Sequence, residues 1–550
     1  MKVIIACLNS KFVHASLSPW CLLAGVRAFG AGHYDITVAE STINSDTSDF
    51  AQKIISESPD VVAFSCYIWN ITKTLEVCRI IRQNHNCTIV LGGPEVAYRP
   101  KDVLRKYGFA DFVLSGEGEW CFPALLDNLG GELSLVAGLS YRHNGEVFTN
   151  PEKEYTDTPP SPYCDEFFKS LNGRIAYIET ARGCPYRCAF CLSGRGSPLR
   201  FFDIDRVKKD IISLSRSGTQ TVKFVDRTFN ADAKRADEIL LFIKESYGKA
   251  IPEGVCFHFE IAGDILKEST LGILESMPRG AVQLEIGMQS FNEETLRKIN
   301  RRTDTSKLIE NIKRLIGFNN MHIHIDLIAG LTGEDFASFK NSFNIGYSLG
   351  AHMLQMGFLK LLHGADMREN HEKYPCTFTD EPPYEVTSTP WLSADEIRTL
   401  KSCEDAVDRL YNSGRFLFTL SYLTDVVGIP PFDIFNSFGN AVNGSKMRLS
   451  EYAEKLYTHF CDRCDKTILR EKILCDLLCC ASSVQIPEIF KIQDPLYKQA
   501  KKYFTENVSK SIKLAVLYSC GKIFAVDQSK SKNLHNRYEG SLYSIEQLNL

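Results

Sequence analysis

The chain has 550 residues, 44% of them apolar and 24% charged, with a net charge of −4 and a pI near 6.3. At roughly 100–200 residues per domain, that length calls for about three domains, and the composition is that of a globular protein able to bury more than one core. The charge balance excludes a general basic field for nucleic acid and leaves room only for local patches.

The opening run, MKVIIACLNS, is too short for the apolar region of a signal peptide and has no cleavage site, so it reads as a first strand. No stretch approaches the roughly 18 uninterrupted apolar residues of a membrane span. Nineteen cysteines without secretory features point to a cytosolic chain with reduced thiols and metal ligation rather than disulfides.

Residues 1–150 alternate strand and helix. Strands are expected at 2–7, 34–41, 60–65, 88–93 and 111–116, with helices around 17–29 and 71–83. The third is a continuous apolar run of the buried parallel type. This rhythm predicts right-handed βαβ units and a doubly wound, Rossmann-like parallel sheet, whose ligands bind beyond the carboxyl ends of the strands. Small residues gather there: Ser65, then Gly92, Gly93 and Pro94, then Gly116-Glu117-Gly118-Glu119. They let a flat or phosphate-bearing ligand approach the backbone.

Residues 151–173, rich in Pro, Asp, Ser and Tyr, read as a linker. From 174 to 372 six further βα units are expected, with strands at 176–180, 222–226, 256–261, 282–288, 322–328 and 352–358. Six consecutive units predict a partial (β/α)6 barrel of the TIM type with its chemistry at the strand C-termini. Residues 373–550 read as a mostly helical domain, entered through the helix start Ser393-Ala-Asp-Glu396, with a few β-like residues near the end.

Directly after the first strand of the second series stands Thr180-Ala-Arg-Gly-Cys184-Pro-Tyr-Arg-Cys188-Ala-Phe190-Cys191. Three thiolates within eight residues on a Gly/Pro loop suit an iron–sulfur cluster, and a full set would be four, so one iron keeps an open position. Zinc also takes cysteines, but zinc knuckles usually pair two such motifs, and no fourth ligand lies nearby.

This C-x3-C-x2-C loop, with Phe190 before the third cysteine, resembles the cluster loop of radical S-adenosylmethionine (SAM) enzymes, and the resemblance runs over 174–370. It implies a 4Fe-4S cluster on Cys184, Cys188 and Cys191. It also implies SAM contacts at successive strand ends: Phe190, Asp226 in FVDRTFN, Glu260 in FHFEIAGD, Gln289 and Ser290 in EIGMQS, and Asp326 and Gly330 in DLIAGL. Taken alone, each acid is equally a helix cap or a salt-bridge partner. In the reaction so implied, the reduced cluster cleaves SAM to methionine and a 5′-deoxyadenosyl radical, which takes hydrogen from the substrate.

A doubly wound domain ahead of such a barrel resembles the cobalamin-binding domain of the class containing many radical SAM methyltransferases. Ser65, Gly92, Gly93, Pro94, Gly116 and Glu117 are the matching positions, around the nucleotide tail of cobalamin. A cobalt-ligating D-x-H-x-x-G loop is missing, since His14 has neither the Asp nor the Gly. His14 therefore reads as a loop histidine. Methylation of an unactivated carbon is the implied reaction, with a flavodoxin or ferredoxin as reducing partner. A radical SAM enzyme without cobalamin, and a non-enzymatic metal-binding protein, remain as alternatives. In the C-terminal region Cys461, Cys464, Cys475 and Cys479 form a candidate second metal site, against a reading of Cys475, Cys479 and Cys480 as small core residues. The lysines between 498 and 532 read as a solvated face, and the substrate is left open.

Overall fold

The computed structural model describes residues 1–195, 198–480, 485–491, 495–530, 532–534 and 537–545. The chain packs as two compact units, each drawing on several segments. One comprises Met1–Leu284, Arg297–Thr303 and Leu359–Thr387, and the other comprises Glu285–Leu296, Asp304–Phe358 and Ser388–Leu550.

In the first unit, β1 (Lys2–Asn9), β2 (Asp35–Thr42), β3 (Val61–Ser65), β4 (Thr88–Gly92) and β5 (Phe112–Leu114) form a parallel array in the order β2-β1-β3-β4-β5. Strand β3 is buried along its whole length, as its apolar run requires. One face of the sheet packs Ile4, Leu8, Val62, Phe64, Ile89 and Leu91 against apolar residues of the following helices. On the helical layer that includes Ser18–Phe29 and Gly118–Asp127, Gly25 lets two backbones meet, because a Cβ there would lie 2.2 Å from the Glu119 carbonyl oxygen.

Two antiparallel strands, β6 (Leu139–His143) and β7 (Glu146–Thr149), extend this sheet beyond the expected parallel set. Their connection is Asn144-Gly145, both at positive φ (51° and 83°), the conformation a tight two-residue hairpin demands. The segment expected as a linker contains a helix, Asp165–Leu171, which buries Phe167 and Leu171.

The second strand series follows in chain order: β8 (Ala176–Ile178), β9 (Thr221–Phe224), β10 (Cys256–Ile261), β11 (Val282–Gln289), β12 (His322–Ala329) and β13 (Met353–Phe358). Within the first unit β8, β9 and β10 are parallel. Lys223 is in register with both Tyr177 and His258, so these three share one face. Ile178, Phe224, Phe257 and Phe259 fill the other face and are fully buried.

In the second unit β12 and β13 are parallel, with Asp326 opposite Gln355. Helices dominate the rest: Ala394–Val407, started by a Ser393/Glu396 capping box, then Pro431–Val442, Leu449–Phe460, Lys466–Leu478 and Pro495–Asn507. The β-like tail forms an antiparallel meander of β14 (Ile512–Leu517), β15 (Lys522–Asp527) and β16 (Gly540–Ser544). Among the described residues no helix is long and apolar enough to cross a membrane.

Candidate cofactor cavity and cluster loop

The cysteine loop leaves β8 under tight control. The amides of Thr180 and Ala181 donate to one carboxylate oxygen of Asp226 (2.7 and 3.2 Å), and the Thr180 hydroxyl donates to the other. Asp226 is buried, and burial pushes its carboxyl up to about 6. Residues 181–182 pair antiparallel with 200–201, closing the loop into a short ribbon. Gly183, at φ 95°, makes the turn into Cys184. Farther along, the Ala189 amide donates to the Ile299 carbonyl (2.8 Å), the Met367 amide to the Ala189 carbonyl (3.0 Å) and the Asn300 side chain to the Arg187 carbonyl (2.7 Å).

Each of the three thiols has a polar neighbour. Cys184 Sγ lies 3.4 Å from Thr228 Oγ1, the Ser193 amide donates to Cys191 Sγ at 3.4 Å, and Arg301 Nη1 lies 3.8 Å from Cys188 Sγ. The Arg301 guanidinium also sits over the Tyr186 ring, 5.2 Å from its centroid. Burial pushes the Cys188 thiol up while Arg301 pulls it down. Burial outweighs Arg301 at Cys188, whose thiol pKa stays raised, and the guanidinium is placed to offset the charge of a ligating sulfur. The half-buried Phe190 stands between the second and third cysteines. Three thiols on one pinned loop therefore fit an iron–sulfur cluster with one iron left open.

Beside this loop the first unit carries an open cavity of about 770 Å3. Part of its wall is the carboxyl edge of the first sheet, namely Asn9 and Ser10, Ser65, Gly92 and Gly93, and the turn 116–119. The rest is the face of β8, β9 and β10 carrying Tyr177, Glu179, Lys223 and Glu260. Gly93 has φ 103°, and a Cβ there would lie 2.6 Å from the Cys66 carbonyl oxygen, so only glycine forms this turn, which Pro94 converts into a short helix. Tyr67 and Trp69 stack in the same wall, with centroids 4.4 Å apart and planes within 5°. His14 Nδ1 lies 2.6 Å from the Tyr177 hydroxyl, and burial, with Lys11, lowers its pKa. A large cavity over glycine turns at strand ends suits a large flat cofactor.

An acidic node joins the cavity to the loop. Arg182 pairs with Glu117 (2.5 Å), Glu119 (2.8 Å) and Glu179 (2.7 Å), and Arg200 pairs with Glu117 (2.7 Å). Burial works against the Glu119 carboxylate, but Arg182 more than offsets it and holds its pKa below the ordinary value.

The cysteines, Phe190, Asp226, Glu260, Ser65, Gly92, Gly93, Pro94, Gly116 and Glu117 thus all lie in the first unit. Glu260 faces Lys223 (3.9 Å) and Arg227 (3.7 Å). Both oxygens of Asp226 are engaged by the loop backbone and Thr180. Gln289, Ser290, Asp326 and Gly330 lie in the second unit. Ser290 is buried and donates to Glu334 Oε1 (2.5 Å), while Gln289 has φ 71° with its Oε1 buried. Asp326 Oδ1 is 2.9 Å from His324 Nε2, and these two residues with Glu285 bring three donor atoms within 4.8 Å of one another. Gly330 has φ 89° after β12.

The C-terminal cysteines sit in two places. Cys461 and Cys464 donate to the carbonyls of Thr458 (3.5 Å) and Phe460 (3.3 Å) at a helix end. Cys475, Cys479 and Cys480 are buried at the end of Lys466–Leu478, and burial raises all three thiols. The residues that sequence reasoning passed over are Tyr177, Lys223 and Arg182. The first two could have been found from strand alternation, and Arg182 from its place two residues before Cys184.

A three-cysteine loop on a βα series, beside a cavity walled by the glycine turns of a doubly wound sheet, fits a protein that holds an iron–sulfur cluster and a large flat cofactor. Comparison with known proteins sharpens this class. Residues 3–126 match the B12 binding domain, residues 178–344 the Radical SAM superfamily, and residues 372–538 a family described as a protein of unknown function, DUF4080. The 2-(S-pantetheinyl)-carbapenam-3-carboxylate methyltransferase of Streptantibioticus cattleyicolor is 28% identical, over 54% of this chain and 46% of its own length. The cobalamin-dependent radical SAM methyltransferase TokK of Streptomyces tokunonensis is 27% identical, over 54% and 46%. The chain thus spans about half the length of these curated relatives. The structure of the cobalamin-dependent SAM radical enzyme OxsB with aqua-cobalamin superposes with a TM-score of 0.62 at 14% identity, covering 92% of this chain and 84% of that one, which shows a shared fold. The chain therefore carries a B12 binding domain followed by a radical SAM domain, as the sequence resemblance implied. The second domain calls for a 4Fe-4S cluster and SAM, and the first for cobalamin.

Proposed function

We propose that this protein is a cobalamin-dependent radical SAM methyltransferase that methylates an unactivated carbon. The observation that carries this reading is the single cavity whose wall joins the glycine turns of the first sheet to the polar face of β8–β10, beside the cysteine loop. When bound, the cluster and cobalamin supply reductive cleavage of SAM and delivery of the methyl group.

The chain's own residues bind, orient and exclude water. Cys184, Cys188 and Cys191 hold the cluster, and Asp226 holds the loop that presents them. Ser65, Gly92, Gly93, Pro94, Gly116 and Glu117 cradle cobalamin. Glu260, set between Lys223 and Arg227, offers a charge-balanced surface to the polar end of SAM, with Phe190 beside the cysteines as a further SAM position. Ala63, Phe64, Val90, Leu114 and Phe122 make the inner cavity wall apolar and limit water. A cytoplasmic flavodoxin or ferredoxin supplies the electron.

The test is anaerobic purification from cobalamin-fed cells, with iron, sulfide and cobalt analysis. About four irons and about one cobalt per chain are expected. Iron without cobalt would remove the methylase reading and keep the radical SAM one. Folded protein without iron would remove both. About eight irons would assign a second cluster to the C-terminal cysteines.

A further inference from the structure

We infer that Arg182 is a positioning residue that couples occupancy of the cobalamin cavity to SAM binding at the cluster loop. This rests on the function proposed above.

Arg182 stands two residues before Cys184, in the ribbon that closes the cluster loop. Its guanidinium uses its donors on three carboxylates from two elements. Nε and Nη2 donate to Glu179 at the end of β8 (2.9 and 2.7 Å), Nη2 also donates to Glu119 (2.8 Å), and Nη1 donates to Glu117 (2.5 Å). Across the ribbon, Arg200 is the register partner of Arg182 and donates to both oxygens of Glu117 (3.0 and 2.7 Å). Both strands of the ribbon therefore grip the turn 116–119, which is itself cavity wall.

That turn has little freedom to absorb a push. Glu119 is buried, and its backbone is wedged against Gly25 of the neighbouring helix. Three carboxylates against two guanidiniums, mostly shielded from water, tolerate only arrangements that keep every pair formed, because an uncompensated buried charge is costly. A ligand seating on the turn must therefore carry Arg182, and with it the backbone leading to Gly183 and Cys184. A planar fork is needed for this, since a lysine could reach one or two of the carboxylates but not bind Glu179 bidentately while holding Glu117 and Glu119. Coupling of this kind is reciprocal, so each ligand changes the affinity of the other by the same factor.

The experiment uses full-length protein with reconstituted cluster. The SAM dissociation constant is measured anaerobically, by the change in cluster absorption, with and without bound hydroxocobalamin. In the wild type the two constants should differ by about fivefold or more, the lower end of common coupling. In Arg182→Lys and in Arg200→Lys the ratio should fall toward one, with iron content, cobalamin uptake and circular-dichroism melting retained. Two variants are used so that poor folding of one leaves the other to decide. A ratio near one in the wild type with cobalamin bound would overturn the inference. So would variants in which both constants shift by the same factor, which is what a purely structural role produces. Wild-type protein that takes up no cobalamin would instead overturn the proposed function, and the coupling with it.

Discussion

Each compact unit shields an arginine–carboxylate pairing from water, and the two pairings differ in what surrounds them. In the second unit Arg537 pairs with Asp476 (3.0 Å), which is 0% exposed. The Asp476 carboxylate also accepts from the Phe418 amide (3.0 Å), the Thr419 amide (2.8 Å) and the Thr419 hydroxyl (2.7 Å), while Arg537 caps the Gly414 carbonyl (2.9 Å). Every strong acceptor there has a protein donor, and the cluster is sealed. In the first unit Arg182 sits among three carboxylates on the wall of a cavity. The same chemistry is a sealed pin where it is closed and a cavity wall where it opens onto space.

The largest effect that tests this contrast is on the cluster loop. Cys188→Ala should abolish iron binding and SAM cleavage while the far-ultraviolet circular dichroism stays that of the wild type. Cys479→Ala should leave the iron content unchanged. If Cys479→Ala lost iron instead, the second unit would have to be counted as a metal-binding region.

Breaking the sealed pin comes next. Asp476→Ala strands a buried guanidinium and should cost about 3–5 kcal/mol in urea unfolding. Iron and cobalt per folded chain should not change. A loss of cofactor at constant stability would erase the distinction between sealed pin and cavity wall.

A third test concerns Glu334, whose carboxyl burial pushes up to about 7, against hydrogen bonds from Ser290, Ser342 and Ser338. Its pKa is raised in the folded state, so its contribution to stability is fully present below the ordinary glutamate value. That contribution is lost as pH rises from there through about 7. Glu334→Gln, which cannot ionise, should gain up to roughly 2–3 kcal/mol over wild type at pH 8 and nothing at pH 4. Urea titrations at the two pH values decide this, and an equal difference at both would deny that Glu334 titrates.

The smallest effect is expected at Arg398, whose ion pair with Asp395 is exposed on both sides. Arg398→Ala should leave the melting temperature within error, because solvent screens such pairs. A measurable loss there would show that burial is not what separates effective pairs from idle ones in this chain.

Much of the architecture was legible from periodicity. The five parallel strands of the first sheet and the six of the second series lie close to where apolar runs placed them, because buried parallel strands require such runs. The hairpin β6–β7 interrupts the βα rhythm, and its local signal is the pair Asn144-Gly145 alone. The helix Asp165–Leu171 leaves little trace in the sequence, because prolines precede it and it buries two apolar residues. The meander β14–β16 showed only as a β-like tail, since its order depends on pairing between segments.

The sequence by itself brought three thiols together, because Cys184, Cys188 and Cys191 are close along the chain and their spacing is their geometry. It determined the glycine turns for the same reason, as positive φ is a local demand on a single residue. Only the tertiary structure decided which charges meet. Glu117 and Arg182 are 65 positions apart, and Asp476 and Arg537 are 61 apart. No local pattern links such partners. They find one another because buried charges must be paired, and the packing of strands and helices dictates which partners are within reach.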